Sequence, residues 1–482
     1  MFFNSLDFAL FLPIVFILYW FVTNKNLKIQ NILLVVASYF FYGWWDWRFL
    51  FLLLFSTLTD YLVGLGLLRQ ENQKTRKRLL WISMLTNIGF LGFFKYYNFF
   101  VAQFVDTFSF FGYPFHPQTL HIILPVGISF YTFQTMSYVI DVYKRKLEPT
   151  KDFISFAAFV AFFPQLVAGP IERATQLLPQ FYVKRTFDYS KAVDGMRQML
   201  WGFFKKIVIA DNCAQIVDKV YDNYQFLPGS VLLIGAIFFS VQIYCDFSGY
   251  SDIAIGCSRL FGFNLMRNFA YPYFSRDIAE FWRHWHISLT TWFKDYVYIP
   301  LGGSRGSLGQ TIRNTFIIYL VSGFWHGANW TFIVWGLINA IYFLPLLLTH
   351  KNRKYVDVIA PNSLFPNLKE LTQMLSTFLL ATLAWIFFRS DNITQALQYI
   401  KRIFSSSLFS KPQGLVLEPF FLIYTVFFVV FLFIVEWIQR KNQHGLQQLP
   451  EKRIIRYLIY LLLALGMFFL GGSQKSFIYF QF

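Results

Sequence analysis

Apolar runs close to the length needed to cross a lipid bilayer recur along nearly the whole chain. They fall at roughly 6–22, 29–45, 47–68, 79–100, 120–140, 153–168, 231–247, 328–349, 371–388, 420–438 and 456–472, with shorter ones at 199–210 and 314–325. In lipid each such run must satisfy its own backbone hydrogen bonds, and one that stands alone does so as a helix. The expected fold is therefore all-α: a polytopic integral membrane protein of about eleven transmembrane helices. The composition agrees, with 56% hydrophobic and only 14% charged residues. No linker or fixed-period repeat divides the chain, so a single integral-membrane domain covering 1–482 is expected, with N-terminal helices at 1–144 and C-terminal helices at 331–482.

The net charge of +17 does not point to nucleic acid, because the Lys and Arg residues sit in short loops between apolar runs. Lys25 and Lys28, the cluster from Arg69 to Arg78, and Lys144 to Lys146 occupy alternate loops, as do Lys351 to Lys354 and Arg440 to Arg456. Placing them on the cytoplasmic side puts both termini outside, in a multi-pass membrane protein. The start lacks the basic region and cleavage site of a signal peptide, so the first run is expected to remain as a span. Cys213, Cys245 and Cys257 are scattered in apolar sequence and indicate neither a disulfide framework nor a metal site.

The stretch 145–330 differs from its flanks. Charges interrupt most of its apolar runs, and Pro164, Pro170, Pro179, Pro228, Pro272 and Pro300 add breaks. Short, amphipathic or re-entrant helices are expected there, and broken backbone at membrane depth implies a central tunnel or cavity.

Two histidines lie in or beside this apolar sequence, in Glu280-Phe-Trp-Arg-His-Trp-His286-Ile-Ser288 and Ser322-Gly-Phe-Trp-His326-Gly-Ala-Asn329-Trp330. Ionisable groups at such depth are costly and are usually kept for function. Helical spacing would set Trp282 over His286 and Glu280 over His284, combining aromatic walls with titratable groups. Arg283 and His284 read more simply as snorkelling residues. His326 suits a proton acceptor, although a histidine bridging two helices is an equally ordinary explanation. Asp246 and Asp252 are expected to pair with arginines such as Arg259, Arg267 or Arg276. The Gly-rich loop Pro300-Leu-Gly-Gly-Ser-Arg305 matches no phosphate-binding fingerprint and reads as a turn.

These segments carry a resemblance. Phe163-Pro-Gln-Leu-Val-Ala-Gly-Pro-Ile-Glu-Arg173, Gln242-Ile-Tyr-Cys-Asp-Phe-Ser-Gly-Tyr-Ser-Asp252, Phe281 to Ser288 leading to Tyr298-Ile-Pro-Leu-Gly-Gly303, and Phe324-Trp-His-Gly327 together resemble the membrane-bound O-acyltransferase family, in its bacterial alginate O-acetylation branch. His284 and Asn339 depart from what relatives more often carry.

The resemblance implies O-acetyltransfer, with His326 as the family's histidine and His286 as its second polar position. The implied donor is acetyl-CoA or another acyl thioester, and no bound cofactor is expected. The acceptor would be an exported polysaccharide such as alginate, with peptidoglycan O-acetylation or teichoic acid D-alanylation as alternatives within the family, and a periplasmic or extracytoplasmic partner protein would finish the transfer. Trp325, Trp282 and Asn329 are candidate substrate contacts, and Arg305 a candidate contact for the nucleotide end. A transporter or flippase without acyl chemistry would also suit a broken midsection.

Overall fold

The computed structural model describes residues 1–112, 120, 122–167, 169–412, 414 and 419–478. The regular elements among them are all helical. The tail 479–482, assigned to the outer side by charge, lies outside the described residues, as do parts of the 120–140 run and of the 390–419 loop.

Seven helices among the described residues are long and apolar enough to cross a membrane: Arg48–Arg69, Gln73–Phe110, Gly229–Leu260, Trp330–Leu348, Leu368–Arg389, Pro419–Ile438 and Arg453–Leu470. Leu6–Val22 and Leu27–Gly43 are apolar but shorter. Large side chains such as Ile454, Phe468 and Phe420 face outward, as a lipid-facing surface requires. The chain is thus a multi-pass helical membrane protein, but a count of eleven spans is not reached among the described residues. The 120–140 run yields the helix Ile128–Tyr143, buried along almost its whole length. The 153–168 run breaks at Phe162 into Phe153–Ala161 and Phe163–Leu166, with Pro164 in the first turn of the second piece, where its missing N–H costs nothing.

The chain forms two compact units, Met1–Gly195 with Ala254–Met266 and Met196–Ile253 with Arg267–Phe482. In the first, apolar helices are joined through buried polar groups. Asp60 accepts hydrogen bonds from Ser83 and Asn87, and Ser56 donates to Asn87. Arg76 donates to the carbonyls of Leu67, Val142 and Tyr143, tying three helices at one point. Glu172, from the Gly-Pro-Ile-Glu motif, is buried and accepts from the Met266 N–H at 2.6 Å.

The helix Tyr189–Phe204, which belongs to the second unit from Met196 onward, continues through a π-helical stretch, Lys205–Ala210, into Asp211–Asp222. Beside it Gly229–Leu260 runs unbroken for 32 residues. The expectation that helices in 145–330 are short thus fails for this element. Its carboxylates do not break it because they are neutralised inside the protein. Lys205 meets Asp252 at 2.6 Å, and Lys206 meets both Asp211 and Asp246 at 2.8 Å. The expected arginine partners are replaced by lysines that the sequence places in an apolar run.

Such a charge group is stable only as a whole, since removing one member strands the others away from water. Lys206→Met should destabilise the protein by about 3–5 kcal/mol. Thermal unfolding in detergent will show this as a clearly lowered midpoint, and an unchanged midpoint would contradict the assignment.

Candidate active site

The helices Leu308–His326 and Trp330–Leu348 form a hairpin whose connection carries His326. The first begins at a capping box, with Ser307 and Gln310 exchanging side-chain and backbone hydrogen bonds. The two helices meet at Gly323 and Gly336. A Cβ on Gly323 would lie 2.3 Å from the Phe332 carbonyl oxygen, and one on Gly336 would lie 2.4 Å from that of Tyr319. Only glycine permits that approach.

At the end of the first helix, His326 is 3% exposed. Its ring lies 4.8 Å from Trp325, 5.0 Å from Trp335 and 5.2 Å from Phe388, all edge-on. The imidazole is therefore closed off by aromatic side chains rather than open to solvent.

The segment from Phe281 to Trp292 does not keep the continuous helical spacing expected for it. Ile278–His284 and Ile287–Phe293 are separate short helices, and between them His286 takes a left-handed backbone with φ 44° and ψ 55°. The expected stacking of Trp282 on His286 is thereby lost; Trp282 packs instead on Trp335 and Tyr319. A left-handed backbone costs a non-glycine residue about 1–3 kcal/mol, and such strain clusters at functional sites.

The break is held by Asn268. Its backbone carbonyl accepts the Ile287 N–H at 2.8 Å, and its side-chain Oδ1 accepts from the backbone N–H and hydroxyl of Ser288. Asn268 Nδ2 donates to Ser251 at 3.0 Å, which fixes the amide's orientation. Oδ1 also lies 3.0 Å from His286 Nδ1. Because Oδ1 is an acceptor, Nδ1 carries the ring proton and Nε2 holds the basic lone pair. Burial pushes the His286 imidazole down to about 3, so the ring is neutral at physiological pH. Its ring meets Phe247 at 4.5 Å and Trp325 at 6.2 Å. Trp325 is thus a neighbour of both histidines, and one aromatic cluster holds the pair.

The remaining candidates take other roles. Asn329 caps the second hairpin helix, accepting from the Thr331 N–H at 3.0 Å and donating to the Asp391 carbonyl at 2.8 Å. Its amide is thus held by backbone groups as a helix cap. Arg305 is exposed at the far end of Leu308–His326, a helix of 19 residues, which at 1.5 Å per residue spans roughly 28 Å. Arg305 and His326 therefore cannot contact the same small group. Asn314 braces the glycine loop through the carbonyls of Leu301 and Gly303. Arg283 binds the carbonyls of Asn352 and Tyr355 instead of snorkelling, and Glu280 pairs with Arg276 at 2.6 Å. His284 is pushed down to about 4 by burial, with Arg267, Arg283 and Arg276 adding to it.

The fold is that of a multi-pass helical membrane protein with two buried histidines enclosed by tryptophan and phenylalanine. Comparison with known proteins gives the family. The model of MBOAT, the membrane-bound O-acyltransferase family, matches residues 150–356. The chain is 41% identical to a probable alginate O-acetylase of Pseudomonas aeruginosa over 82% of its own length and 73% of the relative's. It is 34% identical to a peptidoglycan O-acetyltransferase of Helicobacter pylori, over 98% and 95% of the two chains. With a teichoic acid D-alanyltransferase of Bacillus subtilis it shares 26% identity over 50% of its length and 64% of the relative's. The chain belongs to the membrane-bound O-acyltransferase family and is an O-acyltransferase.

The strain at His286 is separable from its chemistry. Because Gly adopts a left-handed backbone freely, His286→Gly should be about 1–2 kcal/mol more stable than His286→Ala. Thermal midpoints of the two variants measure the difference, and equal midpoints would show that the left-handed turn stores no strain.

Proposed function

We propose that this chain moves an acetyl group from a cytoplasmic thioester, acetyl-CoA being the fitting donor, to a hydroxyl destined for a polysaccharide outside the cell. Alginate is the first candidate, from the alginate O-acetylase similarity over most of the chain. Peptidoglycan is the second, because the peptidoglycan O-acetyltransferase aligns along almost all of it. The alternating basic loops favour insertion in the cytoplasmic membrane with both termini outside. In that orientation a separate extracytoplasmic protein would receive the acyl group and complete its delivery.

The observation that carries the mechanism is the placement of two buried imidazoles around Trp325, one at a helix end and one in a strained turn. In this reading His326 is the general base. The acceptor oxygen attacks the thioester carbonyl while His326 takes the hydroxyl proton. The carbon–sulfur bond then breaks, and the imidazolium returns the proton to the departing thiolate, giving the ester and the free thiol. General base catalysis of this kind is worth typically about 10²- to 10⁴-fold. His286, neutral and with its lone pair on Nε2, accepts a hydrogen bond from a second hydroxyl of the acceptor sugar and so aims the attacking oxygen, whose own proton goes to His326.

The aromatic enclosure has a place in this scheme. A thioester next to an activating base is exposed to hydrolysis wherever water enters, and a ring 3% exposed keeps water out. The donor and acceptor must then part the wall formed by Trp335, Phe388 and Trp325, and a tunnel through the protein would exist only while those side chains are displaced.

Purified protein in vesicles, supplied with labelled acetyl-CoA, tests the assignment. His326→Ala should lower release of free CoA and onward transfer of label by at least about 10²-fold at unchanged protein levels. Activity within a few-fold of the parent would return His326 to a purely structural role.

A further inference from the structure

The chain after the helix Arg453–Leu470 is an extended strap held at several points inside the second unit. Gly472 lies so close to the start of the helix Asp211–Asp222 that a Cβ there would stand 2.7 Å from the Asp211 carbonyl carbon and 2.8 Å from the Asn212 nitrogen. Its N–H donates to the Ile207 carbonyl at 3.0 Å, and Asn212 donates to the Leu470 carbonyl at 2.8 Å. Ile207 belongs to the π-helical stretch Lys205–Ala210; a π-bulge interrupts the regular hydrogen-bond ladder and is often found near functional sites. Further along, Lys206 donates to the Lys475 carbonyl at 3.1 Å, and the Ile478 N–H donates to Asp246 at 2.7 Å. Lys475 itself pairs with Asp218 at 3.0 Å, and Arg389 meets the other oxygen of that carboxylate at 3.0 Å. The buried ion group that neutralises Asp246 therefore also holds the strap.

What the strap delivers is an aromatic ring. Phe477 is fully buried, with its ring 4.5 Å from Tyr250 and 5.5 Å from Phe247. Phe247 in turn packs edge-on against the His286 imidazole at 4.5 Å and against Phe269 at 5.0 Å. His286 is thus fixed from two sides. Asn268 sets its turn and tautomer, and the Phe477–Phe247 pair sets its ring plane.

We propose that Phe477 is a positioning residue for acyl transfer: through Phe247 it holds the His286 ring in its working orientation, and the strap Gly471–Ile478 is the device that keeps it there. The proposal rests on the role given to His286 above. Phe477 touches no reacting atom. Its removal opens space behind Phe247, the Phe247 ring relaxes into that space, and the imidazole loses the wall that defines its angle. Misplacing a reacting group by about 1 Å can cost on the order of 10²-fold in rate.

The test uses the full-length protein in vesicles with acetyl-CoA, comparing Phe477→Ala, Phe477→Leu and His286→Ala. Phe477→Ala should lower kcat by about 10- to 100-fold with little change in KM for acetyl-CoA, and Phe477→Leu, which refills most of the space, should recover most of the loss. Modification by a histidine-selective acylating reagent, read by mass spectrometry at each site, supplies a second measurement. In Phe477→Ala, His286 should react faster, while His444, buried to 1% exposure elsewhere in the same unit, should not. Full activity in Phe477→Ala beside an inactive His286→Ala overturns the positioning role alone. An active His286→Ala overturns the role of His286, and the proposal with it. Equal acceleration at His286 and His444 shows general loosening of the unit and overturns the specific role of Phe477.

Discussion

Burying charge in a protein that faces lipid is possible only if the charges cancel locally, and the second unit is organised around one such cancellation. Lys205 and Lys206 are consecutive residues, and they serve carboxylates six positions apart on a single helix, Asp252 and Asp246. Adjacent side chains on a helix diverge by about 100°, so two neighbouring lysines reach two separate partners. The π-helical stretch that begins at Lys205 is part of this arrangement. With the ion pairs formed, a helix carrying Asp246 and Asp252 remains continuous for 32 residues and becomes the backbone of the unit. Phe247 and Ser251 on that helix then present a ring to His286 and a hydroxyl to Asn268.

The two histidines are held by different means. His326 is placed by a helical hairpin that closes on a glycine-to-glycine contact, and three aromatic edges surround its ring. His286 is placed by a break in a segment that would otherwise be helical, and the break exists because the backbone around Asn268 pairs with it, His284 accepting from Ala270 and Ile287 donating to Asn268. Strain at His286 and rigidity at His326 both suit the proposed roles, in which one imidazole aims the acceptor and the other moves a proton. The proposed reaction would give this concentration of aromatic surface a purpose, since broad, stiff rings exclude water at little cost in conformational freedom.

Several features were legible in the residues themselves. The helical multi-pass class followed from run length, and the histidine segments stood out because ionisable groups are scarce in such sequence. Other features were not. Nothing in Phe281 to Ser288 carries a Gly or Pro to mark the break at His286, since the signal lies in Asn268, eighteen residues earlier. Lys205 and Lys206 looked like interruptions of an apolar run, and their carboxylate partners on the helix Gly229–Leu260 lie 40 to 47 positions further on. Asn329 caps its helix, a role that an Asn just before an apolar run signals in the sequence. Seven spans rather than eleven stand out among the described residues, since hydropathy alone does not separate a helix that faces lipid from one buried by its neighbours, as Ile128–Tyr143 is.

The sequence by itself determined the solvent this protein folds in, its helical class and the residues expensive enough to demand a reason. Those follow from local quantities, the transfer cost of each side chain and the need of every backbone group for a partner. Only the tertiary structure decided which charges cancel, where a helix breaks without a breaker and which ring stands behind which imidazole. These depend on contacts between residues far apart in the chain, and a linear pattern records the cost of a buried polar group without recording who satisfies it.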